Sequence, residues 1–429
     1  MLLLIHTVKR GDSLWSLSQH YNAPLQQIAA ANGLMPSSTL IIGQAVIIPV
    51  EARLSFHRVA AGETLWSIGQ LYGVTLQELQ EANQLHNPAL IVPGQELHIP
   101  SRKKPAIEVN GYTELLDSAG ASIIDEAGGH LTHLSPFSYR VKMDGSLSEL
   151  DDSSIIHNAY LKKTMPMMVI TNFDNSIFNS HIVHAILNQP MLQQRLIHQT
   201  LSIMHARGYT TLHIDFEYVL PQDRIAYNYF LQTVVNALHP YRYKVSTALA
   251  PKLYAEQPGS LYEAHDYAAH GQIVDFVILM TYEWGWSGGA PRAVAPINEV
   301  VKVLNYALSV IPPEKILMGV PLYGYDWTLP YVKGGRLAQA ISSDEAIRRA
   351  AEYSAEIQYD TESQSPYYMY IDEHGREHIV WFEDARSIQA KFDAVKSYRL
   401  RGISYWVLGL SFTQNWYALE SNFTVKKLI

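Results

Sequence analysis

The chain has 429 residues, enough for one large domain with smaller domains attached to it. Its formal net charge of −8 and the lack of any basic run give no electrostatic basis for binding nucleic acid. Because it has no cysteine, the chain cannot form disulfides, use thiolate catalysis or build a cysteine zinc site.

The N-terminus carries only a short apolar stretch, residues 2–5. A helix that crosses a bilayer needs roughly 20 apolar residues. The stretch also lacks a basic region before it and a small-residue cleavage site after it. We therefore expect neither a membrane span nor a Sec-type signal peptide.

An internal repeat follows. Its matching pairs include His6 and His57, Gly11 and Gly62, Trp15 and Trp66, Tyr21 and Tyr72, Asn32 and Asn83, and Pro49 and Pro100. Every pair is 51 positions apart, so the two units align without a gap. Turn and periodicity signals predict a strand, two short helices and a second strand in each unit. Helical periodicity places Trp15 and Trp66 on the buried face, so we expect them in the core rather than as sugar-stacking platforms.

The two units, residues 4–50 and 55–100, resemble the LysM family. The resemblance rests on the turns Gly-Asp-Ser-Leu-Trp at 11–15 and Gly-Glu-Thr-Leu-Trp at 62–66. It implies binding of glycans that contain N-acetylglucosamine, in a groove that segments 33–41 and 84–91 complete. The glycan-binding residues that it implies are Gly11, Asp12, Ser13, Leu14, Gly62, Glu63, Thr64 and Leu65.

After a polar linker at 101–105, the rest of the chain, residues 106–429, predicts an α/β fold, a (β/α)₈ TIM barrel. Eight apolar runs are predicted strands: 107–112, 130–137, 167–172, 211–216, 244–250, 275–281, 316–320 and 402–407. Helical patterns at 191–207, 227–238 and 298–310 lie between them. The long interval before the last strand predicts a small α+β insertion at about 328–382.

The fourth predicted strand ends in two acids. Its period of two places His213, Asp215 and Glu217 on one face of the strand. Catalytic side chains of TIM barrels lie at the carboxyl ends of strands, and buried acids need a purpose. We therefore interpret this strand end as the candidate active site.

The barrel segment resembles family 18 glycoside hydrolases over residues 106–429. Four motifs carry the resemblance: Asp215-Phe216-Glu217, Met280-Thr281-Tyr282-Glu283, Gly319 to Gly324, and Ser404-Tyr405-Trp406. The sequence departs from the family pattern at three places. These are Thr210-Thr211, His213 and Glu283, where the family has Asp-Gly, Asp and Asp.

The resemblance implies a retaining reaction in which the substrate's own acetamide is the nucleophile. Glu217 would be the acid, Asp215 would orient the acetamide, and the Tyr282 hydroxyl would hold its carbonyl. The substrate-binding residues implied are Tyr112, Phe137, Asn172, His213, Met280, Glu283, Trp284, Tyr323 and Trp406. His213 either hydrogen-bonds to Asp215 or is a satisfied core histidine.

No cofactor or metal is expected. His181 and His184 have no acidic partner at ligand spacing, and we interpret them as a solvated helix face. Trp284 and Trp286 follow Tyr282 in a glycine-rich loop, where we favour sugar stacking over simple barrel cover.

Two LysM units fused to this barrel resemble the spore cortex-lytic N-acetylglucosaminidases of endospore-forming bacteria. That resemblance implies a spore enzyme whose partner is peptidoglycan, cut during germination. Two alternatives stay open, a chitinase acting on a chitin-like glycan and a catalytically inactive glycan-binding spore protein. The sequence leaves open the oligomeric state and whether cleavage is internal or from chain ends.

Overall fold

A computed structural model describes residues 2–50, 56–72, 74–85, 87, 91–100, 104–174 and 177–428. Within this part of the chain, no helix combines the length and apolar character needed to cross a membrane. The linker at 101–105 and the segment at 84–91 lie partly outside these residues.

Each N-terminal repeat folds as two antiparallel strands with two helices between them, as predicted. The first repeat has strands Leu2–Thr7 and Ala45–Val50 and helices Leu14–Tyr21 and Leu25–Ala31. The second repeat has strands Phe56–Arg58 and Glu96–His98 and helices Leu65–Tyr72 and Leu76–Ala82. Each unit has a small apolar core of its own.

The prediction that Trp15 and Trp66 are core residues is wrong. Their side chains are 66% and 67% exposed. The helix buries Leu14 and Leu17, which are three positions apart. The residue after Leu14 lies about 100° further round the helix and therefore faces solvent.

The C-terminal segment is a closed barrel of eight parallel strands, counted over the described residues. In chain order they are Ala106–Thr113, His133–Pro136, Met165–Thr171, Thr211–Asp215, Lys244–Leu249, Phe276–Leu279, Ile316–Pro321 and Gly402–Trp406. Each strand pairs with the next, and the eighth pairs with the first through Gly402 and Glu108. All eight predicted strands are confirmed, with small differences at their ends.

Helices cover the barrel between its strands. They are Ser118–Ala127, Ser153–Leu161, Ser180–Asn188, Pro190–Arg207, Arg224–Leu238, Tyr267–Ile273, Ile297–Leu308, Ala385–Tyr398 and Thr413–Asn422. The short strands Tyr139–Arg140 and Thr424–Val425 pair with barrel strands three and one, and Phe173–Asp174 and Ile177–Phe178 form a separate two-stranded hairpin. Outward residues of the strands, such as Leu212 and Ile214, join the helices in the main core. Inward residues such as Met167 and Phe276 form a second cluster inside the barrel.

The insertion after barrel strand seven is an antiparallel sheet with one helix, Ser343–Glu352. Across the sheet, the strands run Gln339–Ser342, Tyr323–Thr328, Glu377–Trp381, Ser365–Ile371 and Gln358–Asp360. The sheet thus begins at Tyr323, earlier than the predicted 328. Tyr323, Tyr325 and Trp327 alternate on one buried face of this first strand, which is a period-two pattern.

Candidate active site

The two acids of barrel strand four lie at the mouth of the barrel. Asp215 ends the strand and is only 5% exposed, and Glu217 follows two residues later, half-buried. Leu212, Ile214 and Phe216 point to the helices. The predicted alternation along this strand is therefore confirmed.

Burial changes the protonation of both acids. It raises the pKa of Asp215 to about 7. The pKa of Glu217 is raised well above its usual value, first by burial, then by the negative charges of Asp215 and Glu283. A carboxyl group in this setting can stay protonated near neutral pH and donate a proton. Oδ1 of Asp215 is buried and has no hydrogen-bond partner among the described residues, so it can accept a bond from a ligand.

Tyr282 lies beside this pair. Burial raises its pKa well above 10, and the nearby Asp215 and Glu217 carboxylates raise it further. Gly319 makes the approach of Tyr282 possible, because a Cβ there would lie 2.7 Å from Tyr282 Cε1 and 2.5 Å from Leu279 O. Sequence reasoning did not assign this role to Gly319, and only its place in the seventh-strand motif could have suggested it.

His213 and Tyr112 form a buried chain instead of contacting substrate. His213 is fully buried; its Nε2 lies 2.8 Å from the Tyr112 hydroxyl and its Nδ1 2.8 Å from Ser246 Oγ. Burial lowers the pKa of His213 to about 3, so the ring is neutral. Both ring nitrogens are occupied, so the predicted substrate contact and the alternative bond to Asp215 are wrong, and the core-histidine alternative is confirmed.

Asn172 holds the main chain of Glu217. Its Nδ2 donates to Glu217 O at 2.8 Å, and its Oδ1 accepts from Glu217 N at 3.0 Å. Its Nδ2 also contacts Asn179 O at 3.2 Å, and the residue is fully buried. These bonds use both Nδ2 hydrogens of Asn172 to position the main chain, and the predicted substrate contact of Asn172 stays a prediction.

Glu283 reaches the cleft from a left-handed backbone position, φ +66°. Its Oε1 accepts from the Tyr323 hydroxyl at 2.5 Å and the Tyr325 hydroxyl at 3.1 Å. Burial raises its pKa, although the two hydroxyl bonds oppose that effect. Glu283 is nevertheless exposed to solvent. It therefore lies in a cleft where many protein atoms surround it but water still reaches it. The Tyr323 hydroxyl therefore orients the Glu283 carboxylate.

An aromatic group lines the barrel mouth. Half-buried Trp406 meets Phe137 edge-on, with ring centres 4.9 Å apart, and Tyr112 at 5.2 Å. Met280 is also half-buried. The structure brings Trp406 and Phe137 together and leaves part of each accessible, as a sugar platform requires.

The two tryptophans of the loop after Tyr282 differ. Trp284 packs in part against the core between barrel and helices, whereas Trp286 is 50% exposed. Of the two, Trp286 has the larger free face for a sugar ring.

The LysM turns are held by matching hydrogen bonds. His6 Nε2 lies 2.8 Å from an Asp12 oxygen, and His57 Nε2 lies 2.7 Å from a Glu63 oxygen. Ser13 and Thr64 cap their helices through Ser16 and Ser67.

Gly11 and Gly62 are exposed, with φ +93° and +86°. Leu14 and Leu65 are 2% and 1% exposed, so their side chains pack inside the domains, and the glycan contact expected at these two positions stays a prediction.

The two histidines considered for metal binding lie on one helix. His184 Nδ1 is 2.8 Å from an Asp223 oxygen, and Asn188 donates to the same carboxylate. His184 therefore has an acidic partner, which sequence spacing could not reveal.

A parallel barrel with two adjacent acids at the end of its fourth strand defines a barrel glycoside hydrolase. The family model described as glycosyl hydrolases family 18 matches residues 175–410, and the LysM domain model matches residues 6–49 and 57–100. The chain belongs to family 18 of the glycosyl hydrolases, is a glycoside hydrolase, and carries two LysM domains.

Several relatives resemble it along nearly the whole length. The cortical fragment-lytic enzyme of Bacillus subtilis (strain 168) is 43% identical, with 99% of each chain covered. That of Bacillus anthracis is 42% identical, covering 99% of this chain and 100% of the relative. The crystal structure of the Bacillus cereus spore cortex-lytic enzyme SleL superposes with a TM-score of 0.90 at 42% identity, covering 100% of this chain and 99% of that one.

Proposed function

We propose that this protein cleaves N-acetylglucosaminyl bonds in spore cortex peptidoglycan or its fragments, with its LysM domains holding the enzyme on the glycan. The observation that carries the proposal is the buried pair Asp215 and Glu217 beside Tyr282, in which the pKa of Glu217 is raised. A proton donor beside an acid with a free acceptor atom is what a substrate-assisted glycosidase needs.

In this mechanism Glu217 gives its proton to the glycosidic oxygen as the bond from that oxygen to C1 breaks. The acetamide oxygen of the same sugar forms a bond to C1, giving an oxazolinium ion, and Asp215 accepts a hydrogen bond from the acetamide N–H. Tyr282 donates its hydroxyl proton in a hydrogen bond to the acetamide oxygen. A water then attacks C1, the acetamide bond to C1 breaks, and the water proton returns to Glu217, with retained configuration.

Three features support the substrate and location. Two of the relatives named above are called cortical fragment-lytic enzymes and the third a spore cortex-lytic enzyme, and each match covers at least 99% of this chain. Two LysM domains on one chain raise avidity for a repetitive glycan. Two half-exposed aromatic rings, Trp406 at the barrel mouth and Trp286 in the loop after Tyr282, suit the apolar faces of pyranose rings. We accordingly place the protein in the spore, at the cortex.

The first test is the substitution Glu217→Gln, which keeps the shape of the side chain but removes the acid. We expect cleavage of cortex fragments to fall by about 10³-fold, the usual weight of general acid catalysis, while binding to the glycan is unchanged. Glu256→Gln, at an exposed carboxylate, is the control with wild-type activity. A Glu217→Gln enzyme that retains the wild-type rate would refute the assignment.

The second test is the dependence on the N-acetyl group. Mass spectrometry should show cleavage of purified cortex fragments and none after chemical de-N-acetylation, because no internal nucleophile remains. Equal cleavage of de-N-acetylated glycan would refute the substrate-assisted mechanism. Faster cleavage of plain N-acetylglucosamine oligomers than of muramic-containing fragments would favour a chitinase instead.

A further inference from the structure

The first LysM domain packs against the catalytic domain with an apolar face. Ala31, Ala45 and Ile47 form one buried cluster with Ala385 of the helix Ala385–Tyr398. Leu3, Ile5 and Tyr417 pack against it. Burial of apolar side chains of this size is what holds domains together as one unit.

A buried side chain bridges the same contact. Gln414 is fully buried, and its Nε2 donates to Asn32 Oδ1 and Ala45 O, both at 2.8 Å. Its Oε1 accepts from Ala385 N at 2.9 Å. The Oε1 end is thus satisfied within the catalytic domain, whereas the Nε2 end is satisfied only across the contact, so separating the domains would leave the Nε2 donors and their two acceptors to be resolvated.

The insertion and the first turn of the helix Ala385–Tyr398 add a second contact. Ile357 N donates to Ile42 O at 2.9 Å, and Arg386 donates to Gly43 O at 3.1 Å. Ile41 packs against the core of the insertion. The segments that receive the LysM domain follow barrel strands seven and eight, so the domain is attached at the end of the barrel that carries the acids.

The second LysM domain lacks this face. Fifty-one positions further on, Ile5, Ala45 and Ile47 correspond to Phe56, Glu96 and His98. Phe56 is 51% exposed and Glu96 is exposed. A glutamate in place of Ala45 would bury an unpaired charge, so the two repeats share a fold but not a docking surface.

The glycines of the turn before the second strand of each repeat, Gly43 and Gly94, also differ in whether they contact the catalytic domain. Gly43 and Gly94 have nearly the same backbone, φ +82° and +87°. A Cβ on Gly43 would lie 1.8 Å from Ile357 O, whereas a Cβ on Gly94 would meet nothing within 4 Å. The catalytic domain thus requires glycine at Gly43 for a reason that does not apply at Gly94.

We propose that the first LysM domain is a fixed part of the catalytic body, docked through a face specific to it, which holds its glycan groove in constant relation to the cleft. The second domain, with a polar face at the same positions, does not dock on the catalytic domain through them and supplies further glycan affinity. The glycan part of this proposal rests on the proposed function; the docking part does not.

Hydrogen exchange on the full-length protein tests the docking directly. Amides of the strand Ala45–Val50 should be protected as long as those of the barrel strands, because they open only when the docked body opens. Amides of the strand Glu96–His98 should exchange at least 10-fold sooner. Equal exchange in the two repeats would overturn the proposal.

The pair Gly43→Ala and Gly94→Ala provides the matched test. Both variants place a side chain at a positive φ, so they share the same backbone cost. Only Gly43→Ala also clashes with the catalytic domain, and its unfolding midpoint should fall by about 4 °C or more below that of Gly94→Ala. Equal midpoints for the two variants would contradict the docking.

Kinetics of the same pair test the glycan part. Gly43→Ala should raise KM for long cortex fragments about threefold relative to Gly94→Ala and leave kcat on a short chitooligosaccharide unchanged. The same KM for both variants would overturn the fixed-groove role. If the proposed function itself were wrong, the result would be different, because the wild-type enzyme would then not cleave the cortex fragments at all.

Discussion

The charge on Glu217 is set by neighbours that can be changed one at a time. Asp215 belongs to the proposed reaction, but Glu283 approaches from the sixth strand and acts on Glu217 only through its charge. The hydroxyls of Tyr323 and Tyr325 hold Glu283 in place, and a glutamine oxygen could accept the same bonds. Glu283 is therefore the position at which the electrostatics of the site can be tested with least disturbance.

We predict that Glu283→Gln moves the alkaline limb of the pH profile of kcat/KM to lower pH. The proposed mechanism needs Glu217 protonated, so activity is present below the pKa of Glu217 and is lost as pH rises through it. A negative neighbour raises that pKa, and its removal lowers it. The pH profiles of wild type and variant on one soluble substrate measure the shift. An unchanged or upward-shifted limb would contradict this account.

For single residues, the sequence predicted the position of the two acids but not the hydrogen-bond partners of the buried side chains near them. The period of two correctly placed Asp215 and Glu217 at the barrel mouth. His213 shares their face but lies two residues earlier, roughly 7 Å deeper, where side chains fill the barrel. Its partners Tyr112 and Ser246 come from other strands. No local pattern reveals a partner that is distant in the chain.

The helices of the two LysM domains present a matched pair of exposed tryptophans. Trp15 and Trp66 each follow a buried leucine at the start of the first helix, next to the capped turn. Both repeats thus present the same large aromatic face to solvent at the matching position, where it is free to contact a ligand. Stacking on a pyranose ring is consistent with the proposed glycan.

We predict that Trp66→Ala weakens binding of the Glu217→Gln protein to cortex glycan by about tenfold, and that adding Trp15→Ala weakens it further. Loss of a stacking face lowers the affinity of one domain, and avidity falls with it. Tyr241→Ala, at a 65% exposed position of the barrel domain, is the control. Pull-down on insoluble glycan gives the affinities. Wild-type binding by the double variant would rule out stacking by these residues.

Strands and helices were predictable from the sequence where a single hydrophobic pattern ran through the whole segment. The barrel strands are continuous apolar runs because helices cover them on one face and packed side chains fill the other. The first strand of the insertion was missed because Tyr323 follows strand seven after a single residue, so the two strands read as one segment. Trp15 points outward because Leu14 and Leu17 define the buried face of this eight-residue helix, and Trp15 lies about 100° away from Leu14.

The barrel as a whole closes where strand eight meets strand one, and an ionic group lies at that junction. Glu108 of strand one accepts from Arg401 Nε at 2.8 Å and contacts His133 Nε2 of strand two at 3.0 Å. Beside them, a Cβ on Gly402 would lie 1.8 Å from Glu108 O, so only glycine allows this approach. The sequence showed eight strands but gave no sign of which charged residues join the ends of the sheet.

This junction makes the stability of the barrel depend on pH. Burial disfavours the Glu108 charge, but His133 and Arg401 more than offset it and lower its pKa to about 2. Burial also lowers the pKa of His133, so this ring is neutral at neutral pH. A depressed pKa contributes stability above the unfolded value, and that contribution is lost as pH falls through the folded value. Glu108 should therefore contribute about 3 kcal/mol at neutral pH, lost between about pH 4.5 and pH 2.

We predict that Glu108→Gln lowers barrel stability at neutral pH and flattens its decline in acid, because glutamine has no proton to gain. Urea unfolding at several pH values between 7 and about 3 measures both effects. The exposed variant Glu256→Gln should follow the wild-type curve, since a surface ion pair contributes little. If Glu108→Gln declined in acid as steeply as wild type, the acid sensitivity would arise elsewhere, and the ionic junction could not be what ties barrel closure to pH.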